Sequence, residues 1–238
     1  MLEVKNLEVY IGNKKVLKGV NLELRKNMVS ALLGPNGSGK TTLVKAIMGL
    51  SEIKVKKGNI VFLGRDITLL PPEKRAKMGI GISFQHPPSI KGVKMLDFIK
   101  KISKKGLNTI KKEPLFKSLL ERELNVGFSG GELRISELMQ LIALDPKVVI
   151  LDEIDSGLDV QKVRIVANLI KKYFVKKSKA VLIITHTGQI MKYIRPSKVH
   201  VMLDGKIVCT SDNWRKVWRV VNKYGYKKCE ECRLFPSK

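Results

Sequence analysis

Apolar and polar positions alternate over residues 2–11 and again over 16–24, the two-residue period of strands with one covered face. "MVSALL" (28–33) replaces that alternation with a continuous apolar run, as a strand buried on both faces would, and leads straight into a Gly-rich stretch. An amphipathic helix is predicted at about 40–49, then a short strand near 58–64, a Pro-started helix at 72–78 and a strand at 80–85. From 86 to 128 the pattern turns helical and strongly basic. There "KMLDFIKKISKK" (94–105) sets Met95, Phe98, Ile99 and Ile102 on one face, and "PLFKSLLERELN" (114–125) predicts a second helix. Strand and helix alternate again from Gly131: helix to about 144, strand 147–152, helix 160–175, strand 179–185, and strand-like pieces at 198–203 and 206–210. This series predicts an α/β chain with a helical lobe inserted at about 86–144, one domain over 1–212, and a basic C-terminal helix and tail over 213–238.

Charge changes the picture little. The 46 Lys and Arg against 21 Asp and Glu give a formal +25, which admits nucleic acid, an anionic membrane or an acidic protein and selects none of them. Aromatics make up 6% and nowhere interleave with the basic residues, so a stacking platform for single strands is disfavoured and nucleic acid is not the expected partner. Lys enrichment also suits a thermophile's surface. Runs such as "AVLIIT" (180–185) fall far short of the ~20 residues a membrane span needs, so no direct membrane insertion is expected. Three cysteines are too few for a disulfide scaffold, and with no signal peptide the expected location is cytoplasmic.

Chemistry concentrates in two stretches. "GPNGSGKTT" (34–42) fits G-x-x-x-x-G-K-[ST] between a predicted strand and a predicted helix. Gly34, Gly37 and Gly39, with Pro35, Asn36 and Ser38 between them, would curl so that backbone N–H groups face phosphates at a helix N-terminus. Lys40 is expected to bridge the β- and γ-phosphates of ATP, Thr41 to coordinate Mg2+, and Thr42 to reach the α-phosphate. "LDEIDSGLD" (151–159) crowds Asp152, Glu153, Asp155 and Asp159 together. By itself it reads equally as a ligand-binding strand end or as an acidic loop whose Asp155 or Ser156 caps the next helix. Beside a phosphate loop the first reading gains: Asp152 would orient Mg2+ and Glu153 would aim the attacking water.

"FSGGE" (128–132), about 20 residues ahead of Asp152, resembles the signature motif of ATP-binding cassette (ABC) ATPases, and the remaining motifs fall into that family's order. Gln85 matches the Q-loop, "SGLD" (156–159) the D-loop, and His186 the switch histidine. The resemblance covers residues 1–212 and implies a P-loop NTPase of ABC type: a RecA-like core, an N-terminal antiparallel β subdomain and an inserted α-helical subdomain. It also implies a head-to-tail pair of cassettes, with ATP held between one P-loop and Ser129, Gly130, Gly131 and Glu132 of a second cassette, near Asp159. His186 would bond the γ-phosphate, and Gln85 would sense Mg2+ and water. The family often stacks adenine on an early aromatic; Tyr10 lies near that place, although the register puts Ile11 at the usual position, so Tyr10 is either base platform or half-buried strand residue.

Where transporter cassettes often read Pro-Thr, this chain has Ile154 and Asp155. With "NVGFSGGE" and "IRPSKVHVMLDGKIV" (194–208) it resembles the SufC family, the ATPases of iron-sulfur cluster assembly, which dock on SufB/SufD-type scaffold proteins. The lobe between Gln85 and Ser129 is shorter than is common among them. An importer ATPase would use the same residues, and a DNA-maintenance ATPase would use the charge but usually carries a long coiled coil that is missing here. "CEEC" (229–232) reads either as half of a metal site or as an inert tail.

Overall fold

The structure, a computed structural model, describes residues 1–84 and 87–231, with side chains through 229. β1 (Leu2–Ile11) and β2 (Lys14–Leu24) pair antiparallel, Ile11 opposite Lys14. β3 (Val29–Leu33) leads through the Gly-rich loop to α1 (Lys40–Met48). β4 (Lys54–Phe62) returns beside β1, with β5 (Arg65–Asp66) outside it, completing the antiparallel sheet β2-β1-β4-β5. α2 (Pro72–Met78) and β6 (Ile80–Ser83) follow. The inserted region holds β7 (Ile90–Lys94), α3 (Met95–Ile102), α4 (Lys104–Lys111), α5 (Lys117–Leu120) and β8 (Glu123–Leu124), the two strands pairing with each other. Next come α6 (Gly130–Leu144), β9 (Val148–Asp152), α7 (Val160–Ile170), β10 (Ala180–Thr185), α8 (Met191–Ile194), β11 (Lys198–Leu203), β12 (Lys206–Ser211), α9 (Trp214–Tyr224) and α10 (Lys227–Glu231).

The second sheet runs β12-β11-β3-β10-β9-β6, parallel except at β12. Its strands β3, β9 and β10 are buried at every position because helices and the antiparallel sheet cover both faces, and the two-residue period deals their apolar side chains to opposite cores. Val181 and Ile183 of β10 join Val149 and Leu151 in the core beneath the inserted helices. Ala180, Leu182 and Ile184 join Val148 and Ile150 in the core shared with α1 and the antiparallel sheet.

Two predicted helices differ from what forms. The run 94–105 breaks at Ser103, which is extended at φ −164° and caps α4 by accepting from the Gly106 amide at 3.0 Å. The run 114–125 forms only a 3-10 turn and α5 before β8, whose pairing with β7 is followed by Asn125 (φ +60°), held by tertiary partners. Its Nδ2 donates to Pro88 O at 2.7 Å and its Oδ1 accepts from Ser136 Oγ at 2.6 Å. Neither partner is visible in local periodicity.

Arg75 of α2 is 1% exposed and anchors the far end of α1. Its guanidinium donates to four carbonyls: Ala46 at 2.8 Å, Ile47 at 2.7 Å, Thr68 at 2.8 Å and Leu70 at 2.7 Å. Two of these are carbonyls of α1's last turn, Ala46 O also accepting from the Gly49 amide at 3.1 Å, and there the helix dipole favours a cation. Arg75→Met keeps most of the volume but takes the guanidinium donor from all four carbonyls, leaving Ala46 O its bond from the Gly49 amide; urea unfolding should show a loss of about 3–5 kcal/mol. A loss below about 1 kcal/mol would mean water replaces the guanidinium there.

Candidate functional site

The in-register parallel pairing Leu33–Thr185 and Ile184–Asp152 brings three strand ends to one edge. The Gly-rich loop leaves β3 there, Asp152 and Glu153 close β9, and His186 follows β10. In open α/β sheets this carboxyl edge is the ligand edge. A cleft of about 380 Å³ opens beside it, lined by Val16, Asn36, Gly37, Gly39, Lys40, Thr41, Thr42 and Glu153. A larger groove of about 850 Å³ lies past the other end of α1, but its one buried cation, Arg75, is taken up by backbone carbonyls. Size alone does not mark the site.

Two loop glycines are required by geometry. Gly39 caps α1 at φ +107°, and a Cβ on Gly34 would stand 2.4 Å from Met202 O. Lys40 is buried and donates from Nζ to Gly34 O at 2.9 Å and Pro35 O at 2.8 Å, so the ammonium is folded onto the loop that carries it. Burial lowers its pKa, while Glu153 and Asp152 pull it back up. Ser38 is buried with no partner for Oγ among the described residues.

Asp152 is buried, its amide donating to Ser83 Oγ at 3.2 Å, and the neighbouring Thr41 side chain favours its charged form. Burial and then the neighbouring Glu153 push its carboxyl up to about 6, partly offset by Lys40. Asp152 Oδ1 has no partner among the described residues. An unpartnered carboxylate oxygen beside a threonine hydroxyl suits a hard divalent cation. No cluster of three or more His, Cys, Asp or Glu able to hold a metal occurs among the described residues. Mg2+ would therefore depend on Thr41, Asp152, water and the ligand's phosphates, its usual arrangement.

Glu153 adopts φ +51°, a strained conformation for a long side chain, held by its amide's bond to Ile184 O at 2.9 Å. Its Oε1 meets His186 Nδ1 at 3.2 Å, so the two residues assigned to the γ-phosphate already touch. Asp155 does not cap the following helix; Asp159 does, accepting from the Lys162 amide at 2.8 Å. Asp155 is 2% exposed and its Oδ2 accepts from Thr185 Oγ1 at 3.0 Å, Thr187 Oγ1 at 2.8 Å and the Ile190 amide at 3.2 Å. It thus staples the turn after Glu153 to the loop carrying His186, while Ile154 anchors the same turn in the core.

The other expected residues lie outside this cleft. Ser129 caps α6 in a reciprocal box with Glu132: the Ser129 amide donates to Glu132 Oε2 at 2.7 Å, and Glu132 also pairs with Arg122. Gly130 is exposed and Gly131 buried beneath Lys162, where a Cβ would stand 2.8 Å from Lys162 Cδ. The signature turn and Asp159 are therefore neighbours of each other. Tyr10 sits in β1 opposite Lys15 and Lys54, and the apolar side chain lining the cleft is Val16. Gln85 and Cys232 lie outside the described residues; Cys229 is buried.

Sequence reasoning passed over Glu137, a lone acid among the apolar positions of α6. Its Oε1 accepts from the Phe84 amide at 2.9 Å, holding the strand end just before Gln85.

This fold and edge define a P-loop nucleoside triphosphatase. The family model of the ABC transporter matches residues 17–156. A probable ATP-dependent transporter of Synechocystis sp. is 37% identical, covering 99% of this chain and 98% of its own length. A probable ABC transporter ATP-binding protein of Streptococcus pyogenes serotype M1 is 40% identical over 228 residues, 89% of each chain. A nucleotide-free ATP-binding cassette from an ABC transporter superposes with TM-score 0.82 at 24% identity, covering 96% of this chain and 98% of that one. A dimeric post-hydrolysis cassette bound to ADP and Pi superposes with TM-score 0.76 at 21% identity, covering 89% and 98%. The chain belongs to the ABC transporter family, as its ATP-binding and ATP-hydrolysing cassette.

Burial lifts the Glu137 carboxyl from 4.5 to about 7, against the pull of the Phe84 amide and Arg134. The folded chain therefore keeps a proton there that the unfolded chain releases, and this contribution is lost as pH rises from 4.5 to 7. Glu137→Gln, neutral at every pH, should gain stability relative to the parent across that window in denaturation at pH 5 and pH 8. An equal difference at both pH values would contradict the burial of an ionising carboxyl.

Proposed function

We propose that this cassette binds Mg2+-ATP between the P-loop of one copy and the Ser129–Glu132 turn of a second, and that hydrolysis drives iron-sulfur cluster assembly on a SufB/SufD-type scaffold. Residues 1–212 form the ATPase domain, with 86–144 as the inserted helical subdomain that grips the partner and 213–238 as an appended segment. The observation that carries the reading is the meeting of Lys40, Asp152, Glu153 and His186 at one sheet edge, with Glu153 and His186 in contact at 3.2 Å.

The roles follow from chemistry. Backbone amides of 34–42 and the start of α1 hold the phosphates, Lys40 turns from its loop carbonyls to the β- and γ-phosphates, and Thr42 meets the α-phosphate. Thr41, Asp152 and Gln85 are the residues that would hold Mg2+, which would supply neutralisation of the phosphate charge. Glu153 takes the proton of the attacking water, and His186 orients Glu153 and the γ-phosphate. Ser129, Gly130, Gly131, Glu132 and Asp159 are exposed or arranged at a turn away from their own cleft, as residues serving a facing copy would be. Tyr10 remains a candidate for adenine.

Support for the cluster-assembly role is the motif text, above all Ile154-Asp155. Among the described residues no helix is long and apolar enough to cross a membrane, so a membrane role would need a partner. We place the protein in the cytoplasm on the same reading. The names of the relatives, ATP-dependent transporter and ABC transporter ATP-binding protein, favour a second reading as the ATPase subunit of an importer.

Lys40→Ala should abolish ATP binding, and Glu153→Gln should bind ATP while hydrolysis falls by about 10²-fold or more. Hydrolysis by Glu153→Gln at the parental rate would refute the assignment. Affinity capture from native extract with mass spectrometry separates the two readings: a non-membrane scaffold that accelerates ATP turnover supports cluster assembly, and integral membrane subunits support transport.

A further inference from the structure

Neither the motif order nor the family resemblance gives the segment beyond β12 a role, yet it packs behind the catalytic edge. α9 lays Trp218 against the loop after β10: a Cβ on Gly188, itself at φ +63°, would stand 2.5 Å from Trp218 Cη2 and Cζ3. Only glycine admits the indole that closely. Between α9 and α10, the half-buried Tyr226 donates its hydroxyl to the backbone O of His186 at 3.3 Å. Burial raises the pKa of this phenol, while the backbone of Gly34, first residue of the phosphate loop, pulls it down. Gly34 O in turn accepts from Lys40 Nζ at 2.9 Å, and the His186 ring meets Glu153 at 3.2 Å. One phenol therefore stands between the loop that carries the ammonium and the loop that carries the imidazole.

We propose that Tyr226 is a positioning residue for ATP hydrolysis: its hydroxyl sets the His186 backbone against the phosphate loop, with Trp218 seating the same loop from outside at Gly188. The proposal rests on the reading of His186 as the γ-phosphate contact. Tyr226 is not part of the cleft lining; it fixes where the imidazole stands relative to Glu153. The bond is long for an O–H···O contact, so a moderate effect is expected.

The test is Tyr226→Phe in the full chain, which keeps the ring and removes only the hydroxyl. Turnover number should fall roughly 2- to 10-fold, the range of one neutral hydrogen bond, with KM for ATP within about twofold. The melting temperature should stay within about 2 °C of the parent's. In a His186→Ala background, single-turnover hydrolysis should not change further on adding Tyr226→Phe. A parental turnover number in Tyr226→Phe, a loss that tracks a lowered melting temperature, or an undiminished loss in the His186→Ala background would each overturn the proposal. Parental turnover in His186→Ala itself would instead sink the reading beneath it. Loss there with a parental Tyr226→Phe sinks this proposal alone.

Discussion

Parallel pairing of β3, β10 and β9 is the constraint from which the rest follows. With Leu33 opposite Thr185 and Ile184 opposite Asp152, the chain leaves three adjacent strands at one level, and what comes next on each strand is chemical: a glycine loop, two carboxylates, a histidine. A one-residue slip of β9 would turn Asp152 to the other face and exchange its apolar residues between two cores. The alternating burial of Val148 to Leu151 opposes that slip, so the hydrophobic pattern places the acids as firmly as any polar contact does.

Bringing these groups together is costly. Burial and the neighbouring Glu153 disfavour the charged form of Asp152, Lys40 is desolvated, and Asp152 Oδ1 and Ser38 Oγ lack partners among the described residues. Such unpaired groups are expensive in a low-dielectric interior. A triphosphate with its cation would relieve them together: amides and ammonium to phosphate, carboxylate to metal. Strain at Glu153 (φ +51°) belongs to the same account, since the surrounding structure holds that residue against its own preference. Asp155 and Ile154 are part of the restraint, one bonding the loop of His186 and the other filling the core. Their presence in place of Pro and Thr thus has a physical meaning within the chain: three donors of the switch loop are tied to the turn that carries Glu153.

Much of this was legible in the residues. Strand-loop-helix at 28–49, the apolar strand before Asp152, and the antiparallel pair 2–11 and 16–24 are strong local patterns, and motif order named the edge. What stayed hidden depends on contacts between distant segments. Asn125 holds the turn after β8 through bonds to Pro88 and Ser136; Arg75 is an unremarkable basic residue until its four carbonyls assemble around it. Glu137 and Asp155 look like solvated acids, and only the fold shows what each one holds. Val16 lines the cleft while Tyr10 stands opposite Lys15 and Lys54, a placement set by the pairing of β1 with β2 and β4 that local alternation does not carry.

Hydrogen exchange of the backbone amides, with and without Mg2+-ATP, tests the central claim most directly. The amides of 34–42, 152–153 and 186 should slow together, since one ligand spans all three strand ends. Slowing confined to the groove of residues 49–56 and 68–75, with the glycine loop and Glu153 exchanging as before, would contradict it.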